Sequence, residues 1–336
     1  MDWFHPDKVP VCRPALPRDT PEILELTSTI WEGGDYVPEV WQDWLEDTQG
    51  RLAVVEWGGR VVGLFKLSLL SPEEGWLEGL RVHPELEGRG FASRLFEYML
   101  DIWTRMNGGV LRLATASFRH SVQHLSRRTG FIKAGEFTPY QALSLAERTA
   151  GSPLEISLSS KALPPGSSQG MEARAPFPAV FRSLAPDEAG QALELVQHSP
   201  ALELAWGFMD LGWSWARPSQ VLLEEAAGRG QAWWWGPGRE GVLVAREDTD
   251  EGVTYLSLQL LACPLADLAD CLSDFRRLGS ARGFSQVSWL APLNPETLKA
   301  LDASGYQRSW EASVFLYEKP PSNHREGLLV EDDKAG

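Results

Sequence analysis

Basic side chains are the scarce class in this sequence: 31 Lys and Arg stand against 46 Asp and Glu, a formal net charge of −15. So acidic a surface repels a phosphate backbone on approach, which argues against a nucleic-acid partner. Cysteine is scarce too. Cys12, Cys263 and Cys271 are odd in number, scattered and in no CxxC pair, so neither a disulfide framework nor a zinc site is expected. No run of about 18 apolar residues occurs, and the first residues (Asp2, His5, Asp7, Lys8) lack the basic-then-apolar order of a signal peptide. The expectation is a cytoplasmic protein with no membrane partner and no metal.

What is present points to two globular domains. A single core rarely grows past roughly 250–300 residues, and the chain has 336. Apolar residues at 43 % and charged ones at 23 % exclude disorder and fibrous architecture. The 15 Trp read mainly as core and lid packing. Residues 148–178, rich in Ser, Pro and Gly, have linker composition and separate the halves. The boundaries expected are a first domain at 11–147, that linker, a second domain at 179–320 and an acidic tail at 321–336.

Each half reads as mixed α/β. In the first, Thr20-Pro21-Glu22 starts a helix, and Val40, Trp41, Trp44 and Leu45 have the spacing of a second. Gly58-Gly59 turns a hairpin between Leu52–Trp57 and Val61–Leu70, and a strand follows at Gly75–Val82. An amphipathic helix carries Leu95, Phe96, Met99, Leu100 and Trp103. A strand at Val110–Thr115 and a short helix stopped by Gly130-Phe131 come next, then two short strands at Ile132–Phe137 and Tyr140–Leu145. The second half repeats this order: its hairpin turn Pro237-Gly238 and its Gly305-Tyr306 stop lie 179 and 175 residues after their counterparts, the offset a duplication leaves.

The stretch with the most chemical content runs Leu80-Arg81-Val82-His83-Pro84-Glu85-Leu86-Glu87-Gly88-Arg89-Gly90-Phe91-Ala92-Ser93. It is a strand, a proline stop, a glycine-rich turn and the first turn of a helix. Small residues there let backbone N–H groups converge, and the helix N-terminus adds its positive dipole end, so the turn suits a phosphate. Strand alternation would put Trp76, Glu78, Leu80 and Val82 on one face and Leu77, Gly79 and Arg81 on the other. A carboxylate on so apolar a face should have a raised pKa.

Order, spacing and motif together resemble the GNAT acetyltransferase superfamily over about residues 11–147. The resemblance implies a twisted mixed sheet with helices on both faces, whose central parallel strands splay to admit acetyl-CoA as co-substrate. It implies that Gly88, Arg89, Gly90, Phe91, Ala92 and Ser93 hold the pyrophosphate through main-chain amides. The backbone of Leu80, Arg81 and Val82 would pair with the pantetheine arm, and Glu78 stands where many relatives keep a general base. The family's first motif position is usually Arg or Gln and here is Glu87, so weaker CoA binding is expected, with Arg89 compensating charge. Where the family commonly has an acidic Tyr this chain has Ser126, and its usual Asn is Arg119. That leaves three alternatives: a thiolate leaving without a dedicated acid, Tyr36, which is carried forward as the candidate, or Tyr140. His120 and His124, four apart on one helix, have no third ligand in view and read as surface or packing residues.

A narrower resemblance, to the histidine N-acetyltransferase group, rests on Ile30-Trp31-Glu32-Gly33-Gly34-Asp35-Tyr36-Val37-Pro38 with Trp44-Leu45, and on Leu77-Glu78-Gly79-Leu80-Arg81-Val82. Physically, Trp31, Glu32, Asp35 and Tyr36 could form an acidic, aromatic cup for an amine, or Asp35-Tyr36 could simply cap the second helix. The second half resembles a GNAT domain that has lost acetyl-CoA: its long strand runs into Ala262-Cys263-Pro264-Leu265-Ala266 without a glycine loop, and Pro264 removes a donor. Packing on the first domain, walling the acceptor site and homodimerisation are its candidate roles. The function expected is acetyl transfer from acetyl-CoA to the primary amine of a small molecule, such as the α-amine of histidine. The alternatives are a non-catalytic acyl-CoA sensor and an enzyme acting on a peptide or protein amine.

Overall fold

The computed structural model describes residues 8–28, 30–106, 108–146, 179–250 and 252–321. The expected linker at 148–178 lies outside them, as does the expected tail beyond Pro321. Two compact units are formed, one within Met1–Ala134 and Val314–Gly336, the other within Gly135–Ser313. The domain bounds expected from sequence follow chain order; these units do not.

The first unit carries β1 (Val11–Pro14), α1 (Thr20–Thr27), α2 (Val37–Glu46), β2 (Arg51–Trp57), β3 (Arg60–Ser71), β4 (Glu74–Val82), α3 (Phe91–Arg105), β5 (Val110–Ala116) and α4 (His120–Arg128). The hairpin between β2 and β3 turns on Gly58 and Gly59, both at positive φ (67° and 84°), the conformation that matches the twist of paired strands. Strands β1 to β4 pair antiparallel in sequence order, and β5 then joins β4 in parallel.

Helices cover both faces because the strands are apolar on both. Val54, Val61 and Leu64 pack with Ile23, Leu26, Val37, Trp41 and Trp44 of α1 and α2. On the other face Val55, Phe65, Leu67, Leu77 and Leu113 pack with Leu95, Phe96, Met99 and Trp103 of α3 and Leu125 of α4.

The next strand, β6 (Ile132–Leu143), is continuous, not the two short strands expected, and from Gly135 onward it belongs to the second unit. Pro139 does not break it, because the strand still pairs antiparallel with β13 (Gln286–Pro292) from Phe137 to Leu143. The second unit continues through β7 (Phe181–Ser183), α5 (Ala189–Gln197), α6 (Pro200–Leu204), β8 (Met209–Asp210), β9 (Trp215–Ala216) and α7 (Gln220–Gly228). It goes on with β10 (Ala232–Trp235), β11 (Gly241–Asp250), β12 (Val253–Ala262), α8 (Leu268–Ala281), β13, α9 (Pro295–Ala303) and β14 (Gln307–Arg308). The last strand, β15 (Val314–Lys319), returns to the first unit and pairs antiparallel with β5. It brings Glu318 to the buried Arg112, whose guanidinium is held by Glu318 at 2.7 Å and Glu74 at 2.8 Å.

The second unit repeats the first in outline. A helix precedes a hairpin (β10–β11), a long strand (β12) pairs in parallel with β13 after the helix α8, and a final helix stops at a glycine of positive φ, Gly305. The connection from β12 to α8 differs. It contains no glycine, Asp267 stands at the N-cap position without a side-chain capping bond and Asp270 lies in the first turn, so carboxylates stand at the end that favours an anion.

Candidate active site

Strands β4 and β5 are in register only from Glu74↔Val110 to Leu77↔Leu113. Past that point β4 runs on to Val82 paired with β3, while Ala114, Thr115 and Ala116 of β5 pair with β15. The two parallel strands part at Leu77, and Glu78 is the first residue beyond the parting.

The turn after β4 leads through two glycines directly into a helix N-terminus. Gly88 and Gly90 take positive φ (76° and 87°), and a Cβ built on either would meet nothing within 4 Å. The backbone, not crowding, requires glycine there. Helix α3 then starts at Phe91 and its first internal bond runs from Arg94 N–H to Gly90 O at 3.1 Å. The N–H groups of Phe91, Ala92 and Ser93 therefore have no acceptor within the helix, and no acidic side chain sits in that first turn. The Phe91 ring is buried against Trp57, 5.5 Å between centroids, which fixes the start of the helix. Arg89 is exposed, its guanidinium 6.0 Å from the Trp57 ring, and Glu87 is exposed as well.

The expected alternation of side chains along β4 is corrected. A bulge intervenes, with Leu64 opposite Arg81 but Lys66 opposite Glu78. Gly79, at φ 68°, is the residue that makes it, and a Cβ there would lie 2.5 Å from the Trp44 ring. An αL bulge residue shifts the pleat by one. Glu78 and Arg81 consequently share the α1/α2 face with Leu64 and Lys66, whereas Leu77, Leu80 and Val82 pack toward α3.

Around Glu78 the polar groups converge. Ser68 Oγ donates to Glu78 Oε1 at 2.5 Å. Burial pushes the Glu78 carboxyl above the usual range, opposed by the Ser68 bond and the Lys66 charge. Lys66, with 1 % exposure, is ion-paired to Asp47. Neither Ser68 nor Lys66 nor Asp47 was singled out from sequence. The signal was there: two polar residues two apart on an otherwise apolar strand share one face.

Tyr36 stands at the N-terminus of α2, its ring edge-on to Trp44 at 6.0 Å and 5.4 Å from the Arg81 guanidinium. It keeps 37 % of its surface exposed while its hydroxyl is turned to the Gly79 amide. Burial pushes its pKa up to about 12 against the Arg81 charge, so the hydroxyl keeps its proton at neutral pH. Asp35 is buried and bound in a two-point pair with Arg81, at 2.8 and 3.0 Å, and it also accepts from Val37 N–H at 3.2 Å. Its carboxylate thus ties the start of α2 to β4. Trp31 and Glu32 fall in a 3-10 turn, Ile30–Gly33, and their side chains lie outside the described residues. Tyr140 belongs to the second unit, partly buried against its core. Ser126 is buried, its hydroxyl donating to Val122 O at 2.8 Å. His120 and His124 are both exposed.

Residues 20–131 match the acetyltransferase (GNAT) family. The chain is 32 % identical over 89 residues to a histidine N-acetyltransferase of Oreochromis niloticus, covering 26 % of each chain. It is 28 % identical over 144 residues to one of Xenopus tropicalis, covering 42 % of this chain and 44 % of that one. The match therefore spans less than half the length of these relatives. A solved structure of a GCN5-related N-acetyltransferase from Sphaerobacter thermophilus shares the fold, with a TM-score of 0.56 and 13 % identity over 93 % of this chain and 95 % of that one. The match to the GNAT acetyltransferase family thus lies in residues 20–131, about a third of the chain.

Proposed function

We propose that the first unit transfers acetyl from acetyl-CoA to the primary amine of a small molecule, with the α-amine of histidine the leading acceptor. The observation that carries this reading is the parting of β4 from β5 at Leu77, with a half-buried carboxyl, Glu78, at the parting and, after the turn that follows the same strand, a helix whose first turn is free of acidic side chains. The residues fit acetyl-CoA: the open turn at Gly88 and Gly90 and the first amides of α3 would take the pyrophosphate, and the backbone of Leu80, Arg81 and Val82 the pantetheine arm. When bound, acetyl-CoA supplies an acyl thioester that a neutral amine attacks at the carbonyl carbon. Glu78 takes the proton the amine gives up, directly or through a water, and Tyr36, protonated at neutral pH, is the candidate donor to the departing sulfur. Asp35 acts through Arg81, fixing the β4 backbone and the ring of Tyr36. The histidine preference is supported by the names of the two relatives above.

Replacing Glu78 by Gln should leave acetyl-CoA binding within a few-fold of wild type while turnover falls by about 10²–10⁴, the share general base catalysis commonly supplies. Calorimetry and free-thiol release read the two separately. Unchanged turnover in that variant would remove Glu78 from the reaction.

A further inference from the structure

Among the described residues, charged and titratable groups come to Glu78 from three elements. From β3 come Ser68, bonded to it, and Lys66, opposite it in the register; after α2 comes Asp47; on β4 itself lies Arg81, bound to Asp35; at the start of α2 stands Tyr36. Arg81 and Asp35 neutralise one another at 2.8 and 3.0 Å. The pair whose charges act on Glu78 is Lys66 and Asp47, with opposite sign.

The surroundings of that pair are specific. Lys66 is almost wholly buried, whereas Asp47 keeps 29 % of its side chain exposed. The other Asp47 oxygen accepts from Gln49 and Gly50 N–H, both at 2.9 Å, so the carboxylate is held from two sides. A Cβ at Gly50 would stand 2.5 Å from Lys66 Nζ and closer still to Asp47 Oδ2, so a side chain there would displace the pair. A buried ion pair gains little stability over apolar residues of the same volume. What it does change is the field at its cross-strand neighbour.

We propose that Lys66, clamped by Asp47 in the space left by Gly50, is a positioning residue of the transfer site: its ammonium favours the charged, proton-accepting form of the Glu78 carboxylate against the cost of burial. The inference rests on the reading of Glu78 as the base.

The test compares wild type, Lys66→Met, Lys66→Arg and Asp47→Asn by two readouts. One is the acid limb of kcat against pH, with acetyl-CoA and histidine. The other, which needs no turnover, is the carboxyl carbon-13 titration of Glu78 in the free protein, its resonance assigned by its loss in Glu78→Gln. Lys66→Met should raise the Glu78 midpoint by about one unit, Asp47→Asn should lower it, and Lys66→Arg should stay near wild type. Opposite signs are what an electrostatic role gives; a packing role would move both variants alike. Midpoints that move together, or not at all, would overturn the inference, and Asp47→Asn supplies the answer if Lys66→Met fails to fold. Opposed midpoints in a protein that acetylates no amine would sustain the charge-holding role and sink the transfer reading. Turnover with unmoved midpoints would do the reverse.

Discussion

At Gly79 one residue decides what the site can be. Its positive φ makes the bulge that turns Glu78 and Arg81 to the same face, and the Trp44 ring occupies the space a side chain would need. Gly79→Ala should destabilise the protein by about 1–3 kcal/mol through strain and that clash, read as a lowered urea midpoint. Glu87 is the residue that departs from the family's turn, and it is exposed. Glu87→Gln removes a negative charge beside a helix N-terminus, worth roughly 0.3–1 kcal/mol, so acetyl-CoA should bind about two- to fivefold tighter by calorimetry. In the second unit Asp210 is buried, accepting from Gly212 and Trp213 N–H at 2.7 and 3.0 Å, and burial pushes its carboxyl up to about 6 from 3.8. The folded protein thus holds this proton more tightly than the unfolded chain, so the group's stabilising contribution is present below about pH 4 and is lost as pH rises toward 6. Asp210→Asn, which keeps the acceptor oxygen, should be more stable than wild type above about pH 6 by roughly 1–3 kcal/mol. The gain should vanish near pH 4 in thermal melts.

Among the elements, those with strong local signals were legible in the sequence. The hairpin was readable at Gly58-Gly59, α3 from its apolar spacing and the β4–turn–α3 run from its glycines, because each depends on residues close in the chain. The bulge was not, since Gly79 in a strand is compatible with straight pleating until its partner strand is known. Helix α7 was missed although it had a signal, Ser219 at the cap accepting from Leu222 N–H at 3.3 Å ahead of Leu223, Ala226 and Ala227. The hairpin β8–β9 escaped because its strands are two residues each, too short to show a period. Asp35 had two readings in sequence. Its capping contact to Val37 N–H and its pair with Arg81 are now in view, and the second joins residues 46 apart in the chain. No helix among the described residues is long and apolar enough to cross a membrane.

On the scale of the whole molecule, the two units exchange their closing strands relative to chain order. β6, from the first half, completes the sheet of the second unit, and β15, from the end of the chain, completes the first. Nothing local in the sequence announces this, because both strands are ordinary in composition and only the pairing distinguishes them. The consequence is testable. A fragment ending at residue 147 would leave β5 an unpaired edge and Arg112, 1 % exposed in the full chain, without Glu318. Losing one partner of a buried charge costs about 3–5 kcal/mol, and an open edge invites aggregation. The fragment should therefore be insoluble or poorly folded, and fusing residues 314–321 to it should restore a cooperative melt.

The measurement that bears most directly on the account is free-thiol release from acetyl-CoA by the purified full chain, tested against the twenty amino acids, polyamines and short peptides with Glu78→Gln alongside. Turnover is expected with histidine or another small primary amine, lost in the variant while acetyl-CoA binding persists. Acetyl-CoA binding with no turnover on any amine would contradict it and leave an acyl-CoA sensor in its place.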